Sequence, residues 1–172
     1  MSKIIALDTE LTFSENELIV SRTDTAGRIQ YCNQVFIKIS GYNEKELLGR
    51  PHNIIRHPHM PRCIYKMMWD RISSGKEIFA YVRNLCKGGQ YYWVFAHITP
   101  TFNGNGQIIG YHSNRRKPKK EAIAVIKQIY EQLLIEERKH SNRKESIDCS
   151  TRLLMDILSK EGKSYDEFIL SI

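Results

Sequence analysis

The stretch EIFAYVRNLCKGGQYYWVFAHITPTFNGNGQIIGYHSN, residues 77–114, decides the fold. It holds three runs rich in aromatic and β-branched residues: Glu77 to Leu85, Tyr91 to Thr101 and Gln107 to Asn114. Lys87-Gly-Gly89 and Asn103-Gly-Asn-Gly106 separate them. Runs of this length between glycine-rich breaks read as strands joined by tight hairpins. The segment is therefore a three-stranded antiparallel meander.

Two more strands precede it, Leu18 to Thr23 and Arg28 to Cys32, with Asp24-Thr-Ala-Gly27 as the turn. Gly27 supplies the positive φ that such a turn needs. Between the two strand groups the pattern changes to a helical one. Asn33 reads as a helix cap before Val35, Phe36 and Ile39, and Gly41 ends that helix. Asn43 and Glu46 make a capping box for a second short helix closed by Gly49. Pro61 fits the first turn of a longer helix carrying Ile64, Met67, Met68, Arg71 and Ile72, which Gly75 stops. The expected fold class is α+β: a five-stranded antiparallel sheet with short helices on one face. Helices that cross from the second strand to the far edge of the sheet leave a pocket between the two layers.

Residues 1–17 read as a loosely attached N-terminal arm, 18–117 as the sheet-and-helix domain, and 118–172 as a C-terminal helical extension. In the extension, Ala122, Ile126, Ile129 and Leu133 form an apolar stripe. A polar stretch from Glu136 to Glu145 interrupts the pattern, and Leu153, Leu154, Ile157 and Leu158 resume it. Ser164 and Glu167 form a capping box for a last short helix. These apolar faces dock on the chain's own domain or on a partner, and terminal helices of this kind also suit a homodimer.

The 172 residues carry 26 basic and 19 acidic groups, a net charge of +7. The excess is spread evenly along the chain, which argues against a nucleic-acid-binding arm. The one cluster, Arg115, Arg116, Lys117, Lys119 and Lys120, reads as a solvated linker. No apolar run is long enough to span a membrane and the N-terminus lacks a signal peptide's apolar stretch, so the expected location is cytoplasmic, at most peripheral to the inner membrane through a partner. Cys32, Cys63, Cys86 and Cys149 are scattered, so neither a disulfide framework nor a zinc module is indicated, and no metal site is expected. No Ser–His–Asp set, paired carboxylates or phosphate-cradling glycine loop is present, and the expectation is a protein that is not an enzyme.

RPHNIIRHPHMP (50–61), YCNQVFIKISGY (31–42), QYYWVFAHITP (90–100) and IIGYHSNRRKP (108–118) resemble the PAS domains of the aerotaxis-receptor type. The resemblance covers roughly residues 18–130. It implies a PAS fold, a non-covalently bound FAD, and signalling through the flavin's redox state in energy taxis. It also implies a partner: a membrane-bound methyl-accepting chemotaxis-type receptor with HAMP and signalling domains, to which this chain would be the stand-alone sensor of a bipartite system. Positions matching the family's flavin-supporting residues are Asn33, His52, Arg56, His57, Tyr65, Trp69 and Asn84. Two positions depart from the family's pattern: His59 stands where an aspartate is usual, and Ile78 where a tryptophan is usual.

Each matched residue also has its own physical reading. Arg56 offers a planar fork of donors to a diphosphate or carboxylate, or bridges to a nearby acid. His57, held extended by Pro58, bonds a ligand or caps the next helix. Tyr65, Met68 and Trp69 share a helix face whose spacing also suits plain core. The Asn84 amide both donates and accepts, as a flavin nitrogen requires, although asparagine is also common at strand ends. Phe79 points away from Ile78 by strand alternation and cannot replace the missing tryptophan. Two other readings stand beside the flavin sensor. One is a haem-based gas sensor using His52, His57 or His59 as axial ligand. The other is a cofactor-free interaction module whose pocket is filled by its own side chains, Met67 and Met68 among them. Asn53-Ile-Ile-Arg56 occupies the place of the cysteine motif of adduct-forming photoreceptors.

Overall fold

The structure is a computed structural model and describes residues 4–172. The five strands are β1 (Ile19–Thr23), β2 (Ile29–Cys32), β3 (Ile78–Leu85), β4 (Tyr91–Phe102) and β5 (Ile108–Arg116). They form one antiparallel sheet in the order β2-β1-β5-β4-β3. The two hairpin groups thus meet along β1 and β5, and β2 and β3 become opposite edges. The chain between β2 and β3 must span the whole sheet. It does so through α1 (Gln34–Ser40), α2 (Glu44–Leu47), a 3-10 turn (His52–Ile55) and α3 (Arg62–Ser73).

The caps read from the sequence are present. The Asn33 side chain accepts from the Phe36 N–H, and Asn43 with Glu46 forms a reciprocal box. Gly41, Gly49 and Gly27 all have positive φ. At Gly27 there is a second constraint: an added Cβ would lie 2.8 Å from the Trp69 ring. That turn is therefore closed down onto α3 by a residue without a side chain.

Strand alternation sorts the sheet into two faces. Ile78, Ala80, Val82 and Asn84 of β3, with Tyr92, Val94, Ala96 and Ile98 opposite them on β4, face α3. Tyr111, Ser113 and Arg115 of β5 and Ile19, Ser21 and Thr23 of β1 continue that inner face. The other face carries Phe79, stacked on His97 at 4.2 Å, together with Phe95 and Trp93.

The C-terminal helices are α4 (Lys120–Arg138), α5 (Arg143–Lys160) and α6 (Tyr165–Ser171). They dock on the body of the protein. An edge strand leaves unpaired backbone groups that need partners. Along β3 these come from the extension: the Tyr130 hydroxyl donates to the Tyr81 carbonyl at 2.7 Å, and the Tyr165 hydroxyl to the Phe79 carbonyl at 3.0 Å. The Tyr130 ring also lies 6.2 Å from that of Trp93. Glu137 makes the tie to α3. Its carboxylate accepts from the Arg62 and Cys63 N–H groups at 2.6 and 3.1 Å, capping a helix whose own Pro61 provides no side-chain cap.

Three expectations are corrected. Residues 4–17 are not loosely attached: Leu7 and Leu11 donate to the Gly89 and Tyr91 carbonyls, Tyr91 donates to Thr9, and Phe13 is buried. The helix break after α4 is shorter than the polar stretch 136–145 suggests, because Glu137 is buried as the α3 cap and the helix runs on to Arg138. Arg115 is not part of a solvated linker. β5 extends to Arg116, and pairing with Ile19 and Ala96 turns Arg115 inward.

Candidate functional site

Between α3 and the inner face of the sheet lies a cavity of about 370 Å³. Ile55, Met68, Ile72, Val82, Ala96 and Ile98 supply its apolar wall. Met68 and Trp69 border the space without filling it. Trp69 is half-exposed at the mouth, edge-on to Tyr111 at 5.6 Å.

The polar wall starts from Arg115, which is 2% exposed and, among the described residues, faces no carboxylate within salt-bridge distance. Its Nη2 donates to Ser21 Oγ at 2.7 Å and its guanidinium lies over the Phe36 ring at 4.4 Å. Nε and Nη1 are buried without a hydrogen-bond partner. Burial lowers its pKa to about 10, and it remains a cation at neutral pH. Isolated buried charge is costly, so a side chain arranged this way is suited to an electron-rich ligand group. Ser21 Oγ lies 3.1 Å from His52 Nε2. Burial first, and then Arg115, hold the His52 pKa down to about 3. The imidazole is neutral, and Nε2 can accept the serine proton while Ser21 accepts from Arg115.

Asn84 sits on the same wall. It is buried, and its Nδ2 has no hydrogen-bond partner among the described residues. Its backbone forms an isolated antiparallel bridge with Arg56. That bridge makes the loop at Arg56 behave as a short strand beside β3, so successive side chains point to opposite sides. Arg56 turns into the cavity and lies over the Tyr65 ring at 4.0 Å. Tyr65 lines the cavity too, and burial raises its phenol pKa above the ordinary tyrosine range. His57 turns the other way, edge-on to Tyr91 at 5.7 Å, with Nδ1 accepting from the His59 N–H at 3.0 Å. Burial, with Arg83 and His59 nearby, lowers its pKa to about 3.

Of the seven family-matched residues, the fold brings His52, Arg56, Tyr65, Trp69 and Asn84 to one cavity. Asn33 and His57 do not line it. Asn33 is engaged in local structure: Oδ1 accepts from the Val20 and Phe36 N–H groups, and Nδ2 donates to the Leu18 carbonyl at 2.7 Å. Of the three histidines considered as axial ligands, only His52 lines the cavity. His59 lies outside it, its pKa lowered by burial and by Arg83 and Arg138. Ile78 is fully buried on the inner face, and Phe79 stacks on the outer one as alternation requires. No cysteine lines the cavity among the described residues. The sequence reading missed Arg115 and Ser21. Extending the alternation Tyr111, Ser113 by one step would have found Arg115, whereas Ser21 carries no signal of its own.

The extension also reaches the site. Arg143 and Ile147 of α5 border the cavity, and beyond them opens a second, polar cleft of about 630 Å³. Arg56, Arg62 and Arg143 line both spaces.

A family model described as the PAS fold matches residues 29–115. The aerotaxis receptor of Escherichia coli (strain K12) is 36% identical over 120 residues, which cover 70% of this chain and 24% of that protein. The nitrogen fixation regulatory protein of Klebsiella pneumoniae is 29% identical over 97 residues, 56% of this chain and 20% of that one. Among solved structures, a light-oxygen-voltage domain studied with a flavin analogue superposes with a TM-score of 0.57 at 20% identity, covering 67% of this chain and 86% of that chain. The chain therefore spans between a fifth and a quarter of the length of these two curated relatives.

Proposed function

This chain belongs to the PAS-fold family, and from that starting point we propose that it is a flavin-dependent redox sensor. In this reading FAD sits in the cavity between α3 and the sheet, and its redox state is signalled to a membrane-bound chemotaxis-type receptor. Residues 18–117 act as the sensor and 118–172 as the element that reads it. The observation that carries the proposal is the pair of unsatisfied buried groups on one wall, Asn84 Nδ2 and the Arg115 guanidinium. A native fold leaves few buried donors unpaired, and those that remain point to a missing partner. A flat ring bearing carbonyl and imine acceptors supplies that partner for both.

When bound, the flavin provides an electron-accepting ring whose nitrogens change from acceptor to donor on reduction. Asn84 can serve either state by turning its amide, which donates at one end and accepts at the other. Arg115 holds a fixed positive charge beside the ring and favours electron gain. Neutral His52, through Ser21, keeps that guanidinium in place. A turn of Asn84 acts on β3, whose edge carbonyls are held by Tyr130 of α4 and Tyr165 of α6. In this reading the route from cavity to extension runs along β3, from Asn84 to the Tyr81 and Phe79 carbonyls. A switch of this kind needs only a few kcal/mol of difference between redox states.

The test is an absorption spectrum of the purified protein in air and again with dithionite. Flavin bands that bleach on reduction are expected. A colourless protein after expression with excess riboflavin, or a Soret band in place of flavin bands, would overturn the proposal.

A further inference from the structure

The cleft beside the cavity is lined by Arg56 and Arg62 from the body of the protein and by Arg138 and Arg143 from the extension, with His140 and Glu137 on its walls. Among the described residues, no carboxylate lies within salt-bridge distance of any of the four arginines. Two arginines outside the cleft do have carboxylate partners, Arg71 with Asp166 and Arg83 with Asp8. The one carboxylate in the cleft wall, that of Glu137, is taken up by the Arg62 and Cys63 N–H groups and by Ser150 Oγ. His140 at the far side is held between Glu136 at 3.3 Å and Glu145 at 3.4 Å. What faces the open space is therefore strongly cationic. Guanidinium groups converging on a cleft are suited to phosphate oxygens, which they bind through paired N–H donors.

The cleft adjoins the cavity, and Arg56, Arg62 and Arg143 line both. The cavity is bounded by the sheet and has one apolar and one polar wall. The cleft is cationic and bounded by the turn between α4 and α5. We propose that this arginine cleft holds the diphosphate of a flavin dinucleotide, so that Arg138 and Arg143 of the extension select FAD over flavins without a diphosphate. The proposal rests on the flavin reading above and adds to it residues outside the matched span 29–115. It also gives the cofactor a second grip on the extension, because the diphosphate bridges α3 to the α4–α5 turn.

The experiment is fluorescence titration of the deflavinated full-length chain with riboflavin, FMN and FAD. It is run on the wild type and on an Arg138→Gln/Arg143→Gln double variant, at low and high salt. Each charge-assisted contact is worth roughly tenfold or more in affinity, so the wild type should bind FAD on the order of 100-fold tighter than riboflavin. The double variant should bring FAD to within about tenfold of riboflavin, the ratio of the two affinities being the readout. Salt should weaken FAD and leave riboflavin unchanged. Inorganic pyrophosphate should compete with FAD and not with riboflavin. An unchanged FAD-to-riboflavin ratio in the double variant overturns the proposal and leaves the flavin reading standing. A wild-type chain that binds none of the three flavins overturns both.

Discussion

Arg115 donates to Ser21 at 2.7 Å, and among the described residues this is the only hydrogen bond its buried guanidinium makes. The two residues reach each other across β5 and β1, both on the inner face of the sheet, Arg115 paired with Ile19 and Ser21 with Ser113. A charge held this way weakens the ligand-free fold and strengthens the ligand-bound one.

Replacing Arg115 by methionine should therefore act with opposite signs on the two forms. The deflavinated protein should gain about 1–3 kcal/mol, as buried charges replaced by apolar groups often allow. Flavin affinity should fall by at least tenfold. Thermal melts of both forms, with a flavin titration, check it. A variant that is less stable when empty and binds flavin as before would remove Arg115 from the site.

Glu137 ties the extension to α3, and its loss should cost more than an ordinary cap. Glu137→Ala leaves the Arg62 and Cys63 N–H groups, the second of them buried, without an acceptor and removes a negative charge from a helix N-terminus, a loss of about 2–4 kcal/mol. Glu137→Gln keeps an acceptor and should recover roughly half. Urea denaturation of the three proteins measures this. Equal losses for the two variants would mean that charge alone, and not the hydrogen bonds, holds the helix.

His52 and His57 both have pKa values lowered to about 3, chiefly by burial. The unfolded chain protonates its histidines near pH 6.5. Below that pH the unfolded state binds more protons than the folded one, so stability must fall as the pH drops from about 6.5 toward 3. At pH 5 each histidine should account for about 2 kcal/mol of that loss. Denaturation midpoints at pH 7 and pH 5 give the slope. His57→Gln should flatten it by about half, and an unchanged slope would mean that His57 is protonated in the fold.

Gly27 meets Trp69 with no room for a side chain. Gly27→Ala combines the strain of a positive φ with a 2.8 Å contact, so it should cost about 1–3 kcal/mol and displace the indole from the cavity mouth. Tryptophan emission and flavin affinity should both change. Emission identical to that of the wild type would show that the turn, and not the ring, gives way.

Much of the fold can be read along the chain because its signals are local. Glycines at positive φ, the boxes at Asn43–Glu46 and Ser164–Glu167, and the alternation of β3 and β4 involve residues a few positions apart. The family motif then brought five cavity residues into view: His52, Arg56, Tyr65, Trp69 and Asn84. Asn33 shows the limit of that transfer, because its side chain is consumed by the cap that the local pattern had already indicated.

By itself, the sequence determined the strand and helix order, the crossing that opens a cleft between layers, and the helices in the tail, since period and capping are properties of neighbouring residues. Tertiary structure decided which side each residue serves. The bridge between Arg56 and Asn84 sends Arg56 inward and His57 outward, and the pairing of β5 with β1 buries an arginine that reads as linker. The docking of α4 and α5 brings Arg143 to the cavity and Arg138 to the cleft beside it. These outcomes depend on backbone groups far apart in the chain finding partners within the sheet, at its edge and at the α3 N-terminus; local alternation indicates the side only of Arg115, and only once β5 runs on to Arg116.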